Sequence, residues 1–229
     1  MKEQIAVIFD MDGVLVDNSP FHDEAWGLIC NKYGKPKSSQ EIKSIFGGTN
    51  KIFVERLLEI TDKKKIEEIA IEKEALYREI FNEHIVAPKG LLELLFDLKK
   101  NNVRLAVGTS APLVNLDFVL DKLDIRGFFE IMVDESQVTK GKPDPEIYLI
   151  ASQKLGIKPQ NCVVIEDSVF GLRAALAAGM KTIGITTTFE AEKLNIADII
   201  INSFTEMNYD TIESLLKSSL RSNHIPSNR

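Results

Sequence analysis

The chain has 229 residues, 44% hydrophobic and 27% charged, which suits one or two compact domains with a sizeable core. Its formal net charge of -6 argues against a nucleic-acid partner, and no run approaches the roughly 18 apolar residues of a membrane span. The N-terminus has no basic segment followed by an apolar stretch, and Cys30 and Cys162 lie far apart in apolar surroundings. A cytoplasmic protein with buried free thiols, no membrane partner and a monomeric state is expected.

In chain order, residues 4–9 form a short, nearly continuous apolar run, the pattern of a strand buried on both faces in a parallel sheet. The same signature returns at 103–107, 131–133, 162–165, 182–185 and 198–201. Helical stretches at 89–100, 112–123, 145–155 and 168–178 separate these runs, the last stopping at Gly179. Strand alternating with helix predicts an α/β fold with right-handed crossovers. From Phe21 to about Glu83 no strand is predicted, only helical periodicity broken near Gly34-Lys35-Pro36 and Gly47-Gly48. Residues 63–83 read as a solvated helix with one apolar stripe. The expected organisation is a core of residues 1–15 and 88–217, a helical insertion at 16–87 and a flexible tail at 218–229.

In open parallel sheets, ligands collect at the carboxyl ends of the strands, so the residues just after each run are informative. Asp10-Met11-Asp12-Gly13 comes after the first and Gly108-Thr109-Ser110 after the second. Lys140-Gly141-Lys142-Pro143 lies beyond the third, and Glu166-Asp167-Ser168 comes after the fourth. Acidic groups, hydroxyls and lysine meeting at one edge make the composition that phosphoryl transfer requires. A carboxylate attacks phosphorus only where a metal and donors offset the charge repulsion. Magnesium prefers oxygen ligands, which Asp10, Glu166 and Asp167 can supply, while a lysine and a hydroxyl take the remaining phosphoryl oxygens. Asp12 cannot share the role of Asp10, since one group attacks while another handles the leaving-group proton. Gly13 is expected to let the backbone turn closely around a phosphate. Each motif alone has a plainer explanation: a turn for the aspartates, helix caps for Thr109, Ser110 and Ser168, a surface lysine for Lys142. An EF-hand loop is excluded, because Leu15 stands where its glycine belongs.

Together these residues resemble the four motifs of the haloacid dehalogenase-like superfamily, in its phosphatase and mutase branch. The resemblance implies a Rossmann-like core with an all-helical cap, Asp10 as nucleophile and Asp12 as general acid then base. It further implies magnesium held by Asp10, the Asp12 carbonyl, Asp167 and Glu166, with Thr109 and Lys142 on the phosphoryl oxygens. The dehalogenases of that superfamily lack the second aspartate, so Asp12 argues against dehalogenation. Within the insertion, Phe21-His22-Asp23-Glu24-Ala25-Trp26 and Lys73-Glu74-Ala75-Leu76-Tyr77-Arg78 resemble the β-phosphoglucomutase-like subfamily, which implies that His22 and Lys73 assist near the catalytic aspartate. Trp26 is expected in the core of the cap rather than as a platform for substrate.

The mutases of that subfamily grip a second phosphate with a cap arginine and a Ser-Lys-Asn stretch. The matching positions here are Asn50 and Ala111-Pro112-Leu113, beside Ser110. Loss of a guanidinium fork favours water as acceptor. The expected activity is therefore hydrolysis of a small phosphorylated metabolite, a sugar or polyol phosphate, with β-phosphoglucomutase activity as the alternative. A phospho-receiver signalling module is the remote alternative; receivers carry their aspartate after a middle strand and have no large helical insertion.

Overall fold

The structure is a computed structural model that describes residues 3–46 and 48–221, with side chains described as far as Lys217. Six strands, β1 (Ala6–Phe9), β2 (Arg104–Gly108), β3 (Ile131–Val133), β4 (Cys162–Glu166), β5 (Lys181–Ile185) and β6 (Ile199–Ile201), form one parallel sheet in the order β3-β2-β1-β4-β5-β6. All six overlap the apolar runs read from the sequence, with β2, β4 and β5 each extending one residue beyond its run. The order reverses at β1, whose two neighbours lead outward in opposite directions, and such a switch point opens a crevice at the carboxyl ends of the strands. Phe9 pairs with Val107 on one side and with Ile165 on the other, so the loops after β1, β2 and β4 leave the sheet at one level.

The helices are α1 (Ser19–Lys32), α2 (Ser39–Lys43), α3 (Asn50–Phe53), α4 (Lys63–Phe81), α5 (Leu91–Lys100), α6 (Leu113–Lys122), α7 (Glu146–Leu155), α8 (Val169–Ala177) and α9 (Tyr209–Arg221). Alternation along β1 sends Val7 and Phe9 to one face and Ala6 and Ile8 to the other. The first face packs under Leu94 and Leu98 of α5, Leu116 and Leu120 of α6, and Ile212 and Leu216 of α9. The second packs under Ile147 and Ala151 of α7 and Ala174 of α8. Burial on both faces is what a continuous apolar strand requires.

Helix α9 is absent from the sequence reading, although Ile212, Leu215 and Leu216 carry helical spacing. Its backbone extends to Arg221, into the stretch expected as a flexible tail; residues 222–229 of that tail lie outside the described residues, as does Gly47.

The insertion between β1 and α5 has a core of its own. Trp26 stacks on Phe53 with ring centroids 4.8 Å apart, among Ile29, Leu57 and Ile69. Helix α2 opens on a capping box of Ser38 and Glu41, and Asp62 caps α4 by accepting from the Lys65 amide at 2.9 Å. The buried stripe of α4 is not purely apolar: Ile66, Ile69, Tyr77 and Phe81 flank Lys73 and Glu74, which are buried as deeply. Charged side chains rarely occupy such positions without partners.

Candidate active site

Asp10 continues β1 by one residue, its amide donating to the Ile165 carbonyl at 3.0 Å. The chain then folds sharply back, the Met11 carbonyl accepting from the amides of Val14, Leu15 and Val16 at 3.2, 2.8 and 3.3 Å. Gly13 sits in this turn at φ +75°, and a Cβ there would lie 1.9 Å from Asp167 Oδ2. Gly13 thus gives space to the Asp167 carboxylate.

At the end of β4, Glu166 is fully buried and both of its oxygens are engaged. Oε2 accepts from the amides of Asp167 and Ser168, each at 3.0 Å, and from Ser168 Oγ at 2.9 Å. Oε1 accepts from Lys142 Nζ at 2.6 Å and from the Tyr148 hydroxyl at 2.7 Å. Gly171 makes room for this carboxylate, since a Cβ on it would fall 1.7 Å from Oε1. Ser168 also caps α8 by accepting from the Gly171 amide at 3.0 Å, as its position after Glu166-Asp167 predicts. Lys142 reaches from the loop before α7 to bridge Glu166 and Asp10, whose Oδ1 it meets at 2.8 Å. Thr109, also buried, comes after β2 and accepts the Ala111 amide at 3.0 Å.

Asp10, Glu166 and Asp167 each bring one oxygen within 4.8 Å of the others. Burial pushes the Asp10 carboxyl up to about 7; Lys142 opposes the rise, and Glu166 and Asp12 add repulsion. Burial, Glu166 and Asp10 hold Asp167 well above the usual carboxylate range. Glu166 stays below that range despite its burial, because Lys142 and its other donors favour the ionised form. One ammonium thus faces three buried carboxylates, and all the donors are hard oxygens. That set fits a divalent cation such as magnesium, which would relieve the repulsion.

The second group of polar side chains comes from the insertion. Asn18 precedes α1 in the N-cap position, yet its side chain makes no cap. Fully buried, it donates instead to Asp12 Oδ1 and to the Tyr77 hydroxyl, each at 2.6 Å, and accepts from the Gly13 amide at 3.2 Å. His22 stacks on Tyr77 at 3.9 Å between centroids, with Nε2 3.6 Å from Asp12 Oδ1 and Nδ1 2.6 Å from Lys73 Nζ. Burial works against ionisation of Asp12, but His22, Asn18 and Lys73 outweigh it and keep its carboxyl below the usual range. Lys73 Nζ donates to Glu74 Oε1 at 2.9 Å. Glu74 accepts also from Asn50 at 2.8 Å and from Asn115 of α6 at 2.6 Å, and the Asn115 carbonyl accepts from Arg78 at 2.6 Å.

Asp10, Asp12, His22, Asn50, Lys73, Thr109, Ser110, Lys142 and Asp167 all line one pocket of about 810 Å³, counted with its open mouth. Of the residues singled out from the sequence, Gly13 and Glu166 do not line it; Glu166 is the holder of Lys142 and of the turn into α8. Trp26 belongs to the cap core, as expected, and also lines the pocket. Sequence reasoning gave no role to Asn18, Glu74, Tyr77, Asn115 or Tyr148. The signal available for Glu74 and Tyr77 was their place on the apolar stripe of α4; a lone asparagine or tyrosine carries none. Thr188, after β5, was also missed; its hydroxyl meets Ser19 Oγ at 2.7 Å, joining the entry of the insertion to the sheet edge.

Residues 7–185 match the family described as haloacid dehalogenase-like hydrolase. The chain is 38% identical to the phosphorylated carbohydrates phosphatase of Thermotoga maritima over 187 residues, 78% of this chain and 83% of that protein. It is 28% identical to the beta-phosphoglucomutase of Bacillus subtilis over 218 residues, 90% and 93% of the respective chains. Among solved structures, a HAD hydrolase of family IA, variant 3, from Entamoeba histolytica aligns with a TM-score of 0.87 at 32% identity, over 93% of this chain and all of that one.

Proposed function

The chain belongs to the haloacid dehalogenase-like hydrolase family, and on that premise we propose that it hydrolyses a small phosphate monoester, a sugar or polyol phosphate, with Asp10 as nucleophile and magnesium as the metal. The observation that carries this reading is the convergence of Asp10, Asp12, Thr109, Lys142 and Asp167 on one pocket beneath the helical insertion. The similarity to a carbohydrate phosphatase supports the substrate class.

Asp10 and Asp167, with the carbonyl of Asp12, would hold the metal, and Glu166 would add charge behind them. When bound, the ion offsets the negative charge of the transferring phosphoryl group. An oxygen of Asp10 bonds to phosphorus as the bond from phosphorus to the alcohol oxygen breaks, and Asp12 gives that oxygen its proton. Water then attacks the phosphorus of the aspartyl phosphate, Asp12 takes the water proton, and the Asp10–phosphorus bond breaks to release phosphate. Approach of a phosphate dianion raises a neighbouring carboxyl, which offsets the pull of His22 and prepares Asp12 as the donor. Lys142 and the Thr109 hydroxyl bind phosphoryl oxygens, and Lys142 also keeps Asp10 aimed. The insertion excludes bulk water from the site.

Water is favoured over a second sugar phosphate as the acceptor. Among the described residues the pocket's lysines and arginines are Lys73 and Lys142 alone, and each is already paired with carboxylates. Phosphate release from a panel of sugar and polyol phosphates with magnesium tests the reading, with Asp10→Asn as its control. We expect the variant to lose activity by roughly 10⁴-fold or more, the scale of removing a nucleophile. Activity preserved in Asp10→Asn overturns the mechanism. Conversion of β-glucose 1-phosphate to glucose 6-phosphate in the presence of the 1,6-bisphosphate, without release of phosphate, selects the mutase instead.

A further inference from the structure

The part of the pocket farther along the insertion has a chemistry of its own. From Asp12 a line of contacts runs through His22 and Lys73 to Glu74, which lines the cavity with Asn50, Ser110 and Ala111. Trp26, Phe46 and Phe53 supply apolar wall there. The cation in this half is Lys73, and Glu74 and His22 hold it at 2.9 and 2.6 Å. Arg78 is turned to Asn115 and does not line the cavity.

A carboxylate offers about four acceptor positions. Lys73 and Asn50 take two on Oε1 and Asn115 takes one on Oε2, which leaves Oε2 able to accept once more. A hydroxyl can donate into that position. A phosphate dianion or a carboxylate cannot: it only accepts, and it carries the same sign of charge. Glu74 moreover cancels the positive charge of Lys73 that would otherwise attract such a group. Three donors from α3, α4 and α6 fix the carboxylate, so it cannot swing away from an unsuitable ligand without breaking those bonds.

We infer that Glu74 is a specificity-determining residue, which admits a substrate tail of uncharged hydroxyls and turns away a tail that bears a second phosphate or a carboxylate. The inference rests on the phosphatase reading and adds the chemistry of the tail to it.

The test compares kcat/KM for fructose 1-phosphate and fructose 1,6-bisphosphate in the wild type, Glu74→Gln and Glu74→Asp. The ratio of the two values is the readout, because any loss common to both substrates cancels in it. The wild type is expected to favour the monophosphate by about 100-fold, the scale of one close like-charge contact at intermediate dielectric. Glu74→Gln is expected to narrow the ratio to about tenfold or less, through the KM for the bisphosphate, and Glu74→Asp to preserve it. If Glu74→Gln does not fold, Asn50→Lys places a cation beside Glu74 and is expected to narrow the ratio likewise. A wild type that prefers the bisphosphate, or an unchanged ratio in the folded variant, overturns the inference. Failure of the phosphatase reading looks different: p-nitrophenyl phosphate would be left intact by the wild type, or cleaved equally by Asp10→Asn.

Discussion

At the sheet edge, Asp10 follows β1 directly, Glu166 ends β4 with Asp167 next to it, and the amides of Asp167 and Ser168 at the start of α8 fix Glu166, which with Asp10 clamps Lys142. Beneath α1 and α4 the supports differ in kind: Asn18, His22, Lys73, Glu74 and Asn115 are held mainly by one another's side chains. The first arrangement is rigid because the hydrogen-bond ladder of the sheet supplies most of its geometry. The second is completed only when the insertion lies against α6, since the Asn115 carboxamide bridges Glu74 and Arg78 across that boundary. The edge suits a reaction common to many substrates, and the cross-boundary network suits the choice among them. Chemistry and selection can therefore be damaged separately, and three variants probe that division.

The largest effect is expected where the edge has no slack. Gly13→Ala sets a methyl group against the Asp167 carboxylate and strains a residue at φ +75°. Activity is expected to fall by about 100-fold or more with every substrate, and stability by roughly 2–3 kcal/mol. Steady-state kinetics on two unrelated monoesters, with urea unfolding, will check it; loss confined to one substrate would blur the division.

Asn115→Ala breaks the bridge from the other side and leaves Glu74 and Arg78 each short of a buried partner. It is expected to cost about 2 kcal/mol of stability. It should also raise KM for a polyol phosphate several-fold while sparing kcat on p-nitrophenyl phosphate. An equal fall in kcat for both substrates would mean that the cross-boundary network serves the chemistry as well.

The smallest effect concerns Glu135, which lies just after β3 on the core side. Burial, helped by Glu74 and Asp134, pushes its carboxyl from 4.5 up to about 7. The folded chain therefore holds this proton more tightly than the unfolded chain, and stability falls as pH rises from about 4.5 to about 7, then levels off. Glu135→Gln removes the penalty. It is expected to gain about 1–2 kcal/mol at pH 8, after allowance for the group's partial exposure, and little at pH 4.5. Urea unfolding at the two pH values decides it; an equal gain at both would place the effect in packing rather than charge.

Much of the edge was legible because its residues lie beside the features that reveal strands. An apolar run identifies β1, and the polar residues that end it are Asp10 and Asp12; the same reasoning finds Thr109 after β2 and Glu166-Asp167 at the end of β4. Helix α9 was legible in principle, since Ile212, Leu215 and Leu216 share one helical face, but that face is narrow in an otherwise polar segment and its partners on α5 and the sheet lie far earlier in the chain. For Glu74 and Asn115, 41 residues apart, and Asn18 and Tyr77, 59 apart, neither partner's type nor its neighbours announce the pairing.

The sequence by itself determined the parallel sheet, the helical insertion and the acidic edge. Each is a local pattern of hydrophobicity and charge, and sheet topology carries such patterns to one place. The tertiary structure alone decided that Gly13 yields space to Asp167, that Glu166 anchors Lys142 behind the pocket wall, and that Glu74 neutralises Lys73. Those outcomes depend on distances of a few ångströms between segments that the chain order leaves far apart, and packing sets them.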